Sequence, residues 1–303
     1  MRLYFFHNLI FESEIDLYGF IQPLNIIKAV PDVTIKIADY PFEDLLCKIK
    51  AGTYCEHSLT RSWFYCYAGI FIIENGNTIL VSPSHDYAKT SSVSIDTVLS
   101  GFITGWAMAF LLYQRGFSGL HSSALTLGNG AIIIAGQSGA GKTTISLQLQ
   151  NKGFKYLTDD ITYVSPSDGF IVHPGLPVQK ICRDNSSNIT DKSRLIYADS
   201  QKDKYAIINT EHHCQIPQEL KLLFFMEKKQ VDRLIFQELY GFEKLPIIIS
   251  SLYMKNLYTK THFPPEEKSR CLKLASTIRV IKIQRPENQD TVTEIIKKIL
   301  LTI

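Results

Sequence analysis

The chain has 303 residues, 45% of them hydrophobic and 20% charged, with a formal net charge of +3 at pH 7. That suffices for one large or two modest domains with real cores, and the composition is that of a globular protein, not a disordered or fibrous one. The small, evenly spread charge, with no basic stripe interleaved with aromatics, argues against nucleic acid as a partner, so Lys228-Lys229 and Lys297-Lys298 read as solvated faces.

The apolar start, residues 1–6, is cut short by His7, Glu12 and Glu14 and does not read as a secretory signal. The first ninety residues read as mostly β. Residues 33–37 alternate strictly, and residues 70–81 read as a hairpin, because Asn75-Gly76 supplies the positive φ angles of a type I′ turn. Ser82-Pro83-Ser84-His85 closes the second strand, and a polar Ser/Thr run to Ser94 serves as a connection. Residues 97–113 carry no charge but fall short of the ~20 residues that span a bilayer. Ser100, Gly101, Thr104 and Gly105 interrupt them, so a core helix beneath the sheet of the following domain is expected, from Asp96 as N-cap to Arg115-Gly116. The expected division is a mostly-β domain, residues 1–93, that binds an acceptor or acts as scaffold, followed by an α/β domain, residues 94–303.

Gly119-Leu120-His121-Ser122-Ser123-Ala124 leads into the most informative segment. Residues 131–135 read as a buried strand. Gly136-Gln137-Ser138-Gly139-Ala140-Gly141-Lys142-Thr143 follows, a full Walker A pattern, and Thr144 continues into a helix over 143–152 that Gly153 stops. Phosphate binding needs these residue types: glycines let successive N–H groups turn inward, the lysine meets the terminal phosphates, and the threonine hydroxyl ligates Mg²⁺. A Gly-rich turn before a core helix is the bland alternative, and the strand–loop–helix order speaks against it. Residues 154–157 read as a returning strand, with Asp159-Asp160 at its C-terminal end, where open α/β sheets place ligand groups. One carboxylate there can hold Mg²⁺ and the other can take a proton from an incoming hydroxyl.

Beyond the aspartates, residues 161–164 and 170–173 are expected to pair across Ser165-Pro166-Ser167-Asp168-Gly169. Residues 183–203 lack periodicity and read as a loop or lid. Residues 222–226, 234–239 and 280–283 read as strands. Thr291-Val292-Thr293-Glu294 reads as a capping box opening a last helix with Val292, Ile295, Ile296, Ile299 and Leu300 on its apolar face. Glu211-His212-His213-Cys214 reads as a polar loop, because adjacent side chains do not converge on one ion without a second ligand pair. The six cysteines include no Cys-x-x-Cys pair and read as reduced thiols.

Taken together, His121, the Gly-x-Ser-Gly-x-Gly-Lys-Thr loop and Asp159-Asp160 resemble the kinase domain of HPr kinase/phosphorylase and its relatives in order and spacing. A narrower resemblance follows: His173-Pro174 through Gln179-Lys180-Ile181-Cys182-Arg183-Asp184, then Asp203-Lys204-Tyr205-Ala206 and Arg285-Pro286, is similar to segments of lasso-peptide precursor kinases. The long N-terminal portion does not resemble the N-terminal domain of bifunctional HPr kinases.

The resemblance implies an α/β fold of the HPr-kinase C-terminal P-loop type and an ATP- and Mg²⁺-dependent kinase. Its acceptor is a serine-type hydroxyl of a precursor peptide or small protein. It further implies that Asp159 acts as general base beside His121, with Lys142 on the phosphates. Gly136, Ser138, Gly139, Ala140, Gly141, Lys142, Thr143 and Thr144 cradle the nucleotide, and Thr143 with Asp160 holds Mg²⁺. Lys180, Arg183 and Lys204 are candidate phosphate or acceptor contacts. A cytoplasmic protein without nucleic-acid or membrane partners is expected, its oligomeric state left open. HPr kinase itself, a small-metabolite kinase, and a non-catalytic ATP-driven switch remain as alternatives.

Overall fold

The structure, a computed structural model, describes residues 1–17, 29–38, 42–84, 94–182, 195–199, 204–258 and 263–303. The chain is mixed α/β and divides into two compact units, Met1–Phe117 and Ser118–Ile303.

The first unit contains β1 (Arg2–Phe6), β2 (Leu9–Ser13), β3 (Val33–Ile37), α1 (Glu43–Lys50), β4 (Cys55–Glu56), β5 (Arg61–Cys66), β6 (Gly69–Glu74), β7 (Thr78–Pro83) and a helix, α2 (Ile95–Gln114). The strands form one sheet in the order β1-β2-β3-β7-β6-β5-β4. Between β6 and β7 the expected tight turn forms, with φ of 52° at Asn75 and 64° at Gly76 and Asn77 N–H donating to the Glu74 carbonyl at 3.1 Å. Strand β6 is almost wholly buried because both of its faces are covered. On one side Leu45 of α1 packs with Trp63, Ile70 and Ile72. On the other, Phe102 lies 5.8 Å from Phe71, and Phe110 6.0 Å from Phe64, between ring centres.

Those contacts correct the expected place of α2: this helix packs on the first unit's sheet, because its aromatic stripe meets the aromatic face of β5 and β6. Its start differs as well. Ser94 Oγ accepts the Thr97 N–H at 3.2 Å, so Ser94, not Asp96, is the N-cap. A π-turn at Ile103–Ala107 interrupts it. At 20 residues α2 is long and apolar enough to cross a membrane, but half of its most apolar stretch is buried inside the protein.

The second unit opens with β8 (Ser118–Thr126), β9 (Ala131–Gly136), α3 (Lys142–Gln150), β10 (Lys155–Thr158), β11 (Ile161–Pro166) and β12 (Phe170–Val172). There follow β13 (Val178–Cys182), β14 (Leu195–Asp199), β15 (Lys204–Ile208), β16 (Gln218–Lys229) and β17 (Ile235–Leu239). Next come α4 (Lys244–Ser251), α5 (Lys255–Tyr258), α6 (Pro265–Thr277), β18 (Arg279–Pro286) and α7 (Val292–Thr302). Buried β9 runs parallel to β16, and β16 parallel to β18, while β17 closes that edge antiparallel. Strand β8 does double duty. Its first half pairs with β11 and its second with β9 and β10. Ile132, Ile134, Phe224, Met226, Ile281 and Ile283 on one face of this sheet pack against Ile145 and Leu149 of α3 and Ile295, Ile296 and Ile299 of α7.

The β11–β12 hairpin forms as expected. Leu195–Asp199, inside the stretch expected as a loop, is instead a strand paired with β15. The remainder of that stretch, 183–194 and 200–203, lies outside the described residues. Two expectations about α7 change. Leu300 is 39% exposed and does not belong to its apolar face. No capping box forms: Thr291 Oγ1 accepts no N–H of the helix's first turn and is buried without a hydrogen bond among the described residues, and Asp290 Oδ1 accepts the Val292 N–H at 3.0 Å. Within the expected loop at residues 211–214, Glu211 and His212 are exposed but His213 turns inward. It is buried, with its ring 5.0 Å from Tyr156 and Nε2 3.2 Å from the Leu157 carbonyl.

Candidate active site

The loop between β9 and α3 starts where Gly136 meets Met226 across the parallel pair. Gly136 has φ of 143°, and a Cβ placed there would lie 2.1 Å from the Met226 carbonyl oxygen. Only glycine tolerates both the backbone angle and that approach. The Gln137 N–H then donates to the Met226 carbonyl at 3.1 Å, which anchors the loop's root to β16. Ala140 N–H donates to the Gln137 carbonyl at 3.2 Å, and Gly141, at φ of 98°, turns the chain into α3. Lys142 Nζ lies over this loop, donating to the carbonyls of Gly136 at 2.9 Å and Gln137 at 3.2 Å. Helix α3 therefore begins at Lys142, with Thr143 and Thr144 in its first turn. Its N-terminal N–H groups and the lysine ammonium form a concentration of positive charge suited to an anion.

Pairing within the sheet brings the other expected residues beside this loop. Ala135 lies opposite Ser122 on β8, and the Ser122 N–H donates to the Asp160 carbonyl at 3.2 Å on the far side. Two strand spacings, ~10 Å, thus separate Ala135 from Asp160. Asp160 sits in the left-handed region at φ of 70°, an uncommon conformation that Asp tolerates better than most residues. The kink separates the two carboxylates. Asp159 Oδ1 accepts the Ser123 hydroxyl at 2.6 Å. Asp160 Oδ1 instead lies 3.6 Å from His121 Nδ1, which is also 3.1 Å from the Asp160 carbonyl oxygen.

Ser123 was not expected as a site residue, and Arg285 entered only through the narrower resemblance of Arg285-Pro286, with no role at the site. Ser123 is two residues after His121 on a strand, and that spacing, which places both on one face, was the available signal. Arg285 stands at the C-terminal end of β18; its Nη1 donates to the Ala140 carbonyl and its Nη2 to the Gln289 carbonyl, both at 3.3 Å. Nearby, Glu227 follows Met226 at the end of β16. Burial alone would push its carboxyl up, but hydrogen bonds from Lys282 and Gln284, both at 2.8 Å, outweigh that and hold it below the usual carboxylate range.

Lys180 and Lys204 lie on β13 and β15, which pair with each other, and Arg183 lies outside the described residues. Among the described residues no three His, Cys, Asp or Glu side chains gather as a self-sufficient metal site. Mg²⁺ that arrives with a nucleotide needs less from the protein, because phosphates and water fill most of its octahedron. A threonine hydroxyl at a helix start and a carboxylate at the strand ends, Thr143 and Asp160, are the donor types it takes. Cys47, Cys55, Cys66, Cys214 and Cys271 are free thiols.

No family profile and no curated protein sequence matches the chain. Among solved structures it is similar to the HPr(Ser) kinase/phosphatase from Coxiella burnetii, at 14% identity and a TM-score of 0.32, over 61% of this chain and 89% of that one. So slight a likeness carries no conclusion about family or activity.

Proposed function

We propose that the second unit is an ATP- and Mg²⁺-dependent kinase that transfers the γ-phosphoryl group to a serine-type hydroxyl of a peptide or small protein, with a ribosomal, lasso-type precursor peptide as the favoured acceptor. The observation that carries this reading is the sheet register. It sets His121, Ser123, Asp159 and Asp160 beside a glycine loop that opens a helix with Lys142 and Thr143.

In this reading the N–H groups from Ser138 to Thr144 and the Lys142 ammonium hold the β- and γ-phosphates, with Gly136, Gly139 and Gly141 keeping the loop open. Thr143 and Asp160 would hold Mg²⁺, which neutralises phosphate charge. Asp159, oriented by Ser123, accepts the proton of the acceptor hydroxyl as it attacks in line. His121 fixes the neighbouring carboxylate. Lys180, Arg183 and Lys204 remain candidates for contacting the transferring phosphoryl group or the acceptor, and a cytoplasmic setting fits the need for ATP. Two separately oriented carboxylates favour chemistry over an ATP-driven switch, which needs a metal ligand but no base.

The test is incubation with γ-labelled ATP, Mg²⁺ and a panel of serine-containing precursor peptides, HPr and small hydroxyl metabolites. Label on a peptide hydroxyl supports the reading, label on HPr or a metabolite replaces the acceptor, and nucleotide binding without transfer to any of them favours the switch.

A further inference from the structure

Resting on the nucleotide reading above, we propose that a cavity at the β17 edge of the second unit holds the nucleoside moiety of the bound triphosphate. The carboxylates and His121 lie to one side of the loop strand β9, on β8 and the turn between β10 and β11. On the other side the sheet continues through β16, β18 and β17. A triphosphate whose γ end faces the carboxylates directs its nucleoside toward β18 and β17. The C-terminal end of β18 and the start of β17, which runs antiparallel to it, share one rim there.

A cavity of about 500 Å³ opens on that rim, lined by Arg233, Phe236, Gln289, Thr291, Glu294 and Lys298 among others. Its size falls within the range of small-molecule sites. It is tied to the phosphate loop by one side chain: the Arg285 guanidinium donates to Ala140 in the loop and to Gln289 in the cavity wall, at 3.3 Å each. Asp232 and Glu294 balance Arg233 and Lys298 in the lining, so the cavity offers no net charge to a second phosphate and suits an uncharged group.

Two features fit a nucleoside. Lys298 Nζ lies over the Phe236 ring, 5.0 Å from its centre, so a base entering there meets N–H donors beside an aromatic edge. Thr291 Oγ1 is buried and makes no hydrogen bond among the described residues, although it stands at an N-cap position where a threonine hydroxyl usually bonds the helix. Asp290 Oδ1, one residue earlier, accepts the Val292 N–H. A buried hydroxyl without a partner is unfavourable, and rotation about χ1 toward the cavity would let a ligand's ring nitrogen or ribose hydroxyl satisfy it. The Gln289 side chain is exposed on the same wall and offers both donor and acceptor.

The experiment compares ATP with inorganic tripolyphosphate by calorimetry, on the full chain and on Thr291→Val, Gln289→Ala and Arg233→Ala. Circular dichroism melts establish that each variant is folded, and the two exposed positions serve if Thr291→Val is not. Expected is a ~3–10-fold weaker ATP affinity in the variants, the size of one lost hydrogen bond, with tripolyphosphate binding unchanged. The cavity assignment is overturned, with the phosphate loop left standing, if tripolyphosphate binds the wild type as tightly as ATP does. It is equally overturned if the variants leave ATP affinity unaltered or weaken both ligands alike. If the wild type binds neither compound, the nucleotide reading itself fails.

Discussion

The hydroxyl of Ser123 donates to Asp159 Oδ1 at 2.6 Å, so a residue on β8 fixes the carboxylate proposed as the general base. Ser123→Ala should therefore reduce phosphoryl transfer by about tenfold while ATP and Mg²⁺ affinities stay near normal, the behaviour of an orienting group. Asp159→Asn, which keeps the shape but removes the proton acceptor, should cost ~10²–10⁴-fold in kcat. Steady-state kinetics on both variants test this; an active Asp159→Asn enzyme means that another group takes the proton.

Asp160→Asn is expected to fail differently. Its carboxylate faces His121 and not Ser123, and in the proposed mechanism it holds metal. The variant should need more Mg²⁺ and regain part of its rate at high metal concentration. Mg²⁺ titrations at saturating ATP decide the matter, and identical profiles for the two asparagine variants would defeat the division of labour.

Lys142→Ala should remove at least ~10² in transfer rate and weaken ATP binding without unfolding the protein. Its ammonium donates to the Gly136 and Gln137 carbonyls of the phosphate loop. Kinetics together with a thermal melt check both halves of the statement.

Gly136→Ala should be a stability mutation before it is a functional one. The new methyl would lie 2.1 Å from the Met226 carbonyl, and the backbone angle of 143° is closed to alanine. β9 and β16 would have to separate at the centre of the sheet, at a cost of about 3 kcal/mol or more. A melting temperature within a degree or two of wild type contradicts the close approach.

Stability should fall as pH drops below about 6.5, the unfolded histidine value. Burial holds the imidazoles of His57, His173 and His213 below that value. Between the two values the unfolded chain binds protons that the folded chain refuses, so ΔG of unfolding declines with acidity and the loss continues until the folded groups titrate. His213→Gln should flatten the dependence of the melting temperature on pH between 7 and 5. An unchanged slope means that His213 is not among the groups responsible.

Local order was legible where residue chemistry is local. The Asn75-Gly76 turn, the strand–loop–helix around Gly136 and Lys142, and the hairpin after Asp160 all follow from backbone preferences and hydrophobic period, which act within a few residues. Helices α4 to α6 were missed because their apolar residues are too few or too irregularly spaced to announce one face. The partner of α2 was misassigned for a related reason. An apolar helix states that it is buried, not against what, and the rings of Phe64 and Phe71 that receive it lie thirty or more residues earlier. Likewise Thr291 has the sequence of a cap, yet its hydroxyl takes none of the first-turn N–H groups.

The candidate site divides along the same line. Sequence alone nominated the loop glycines, Lys142, Thr143 and the Asp159-Asp160 pair, because each is a residue type that phosphate and metal chemistry requires at fixed spacing. Only the tertiary structure decided which carboxylate meets Ser123 and which meets His121. That depends on the left-handed turn at Asp160 and on the register of β8 against three other strands. It also brought Arg285, more than 140 residues away in sequence, onto the Ala140 carbonyl. Strand register is set by packing of the whole sheet, and no short window of sequence contains it.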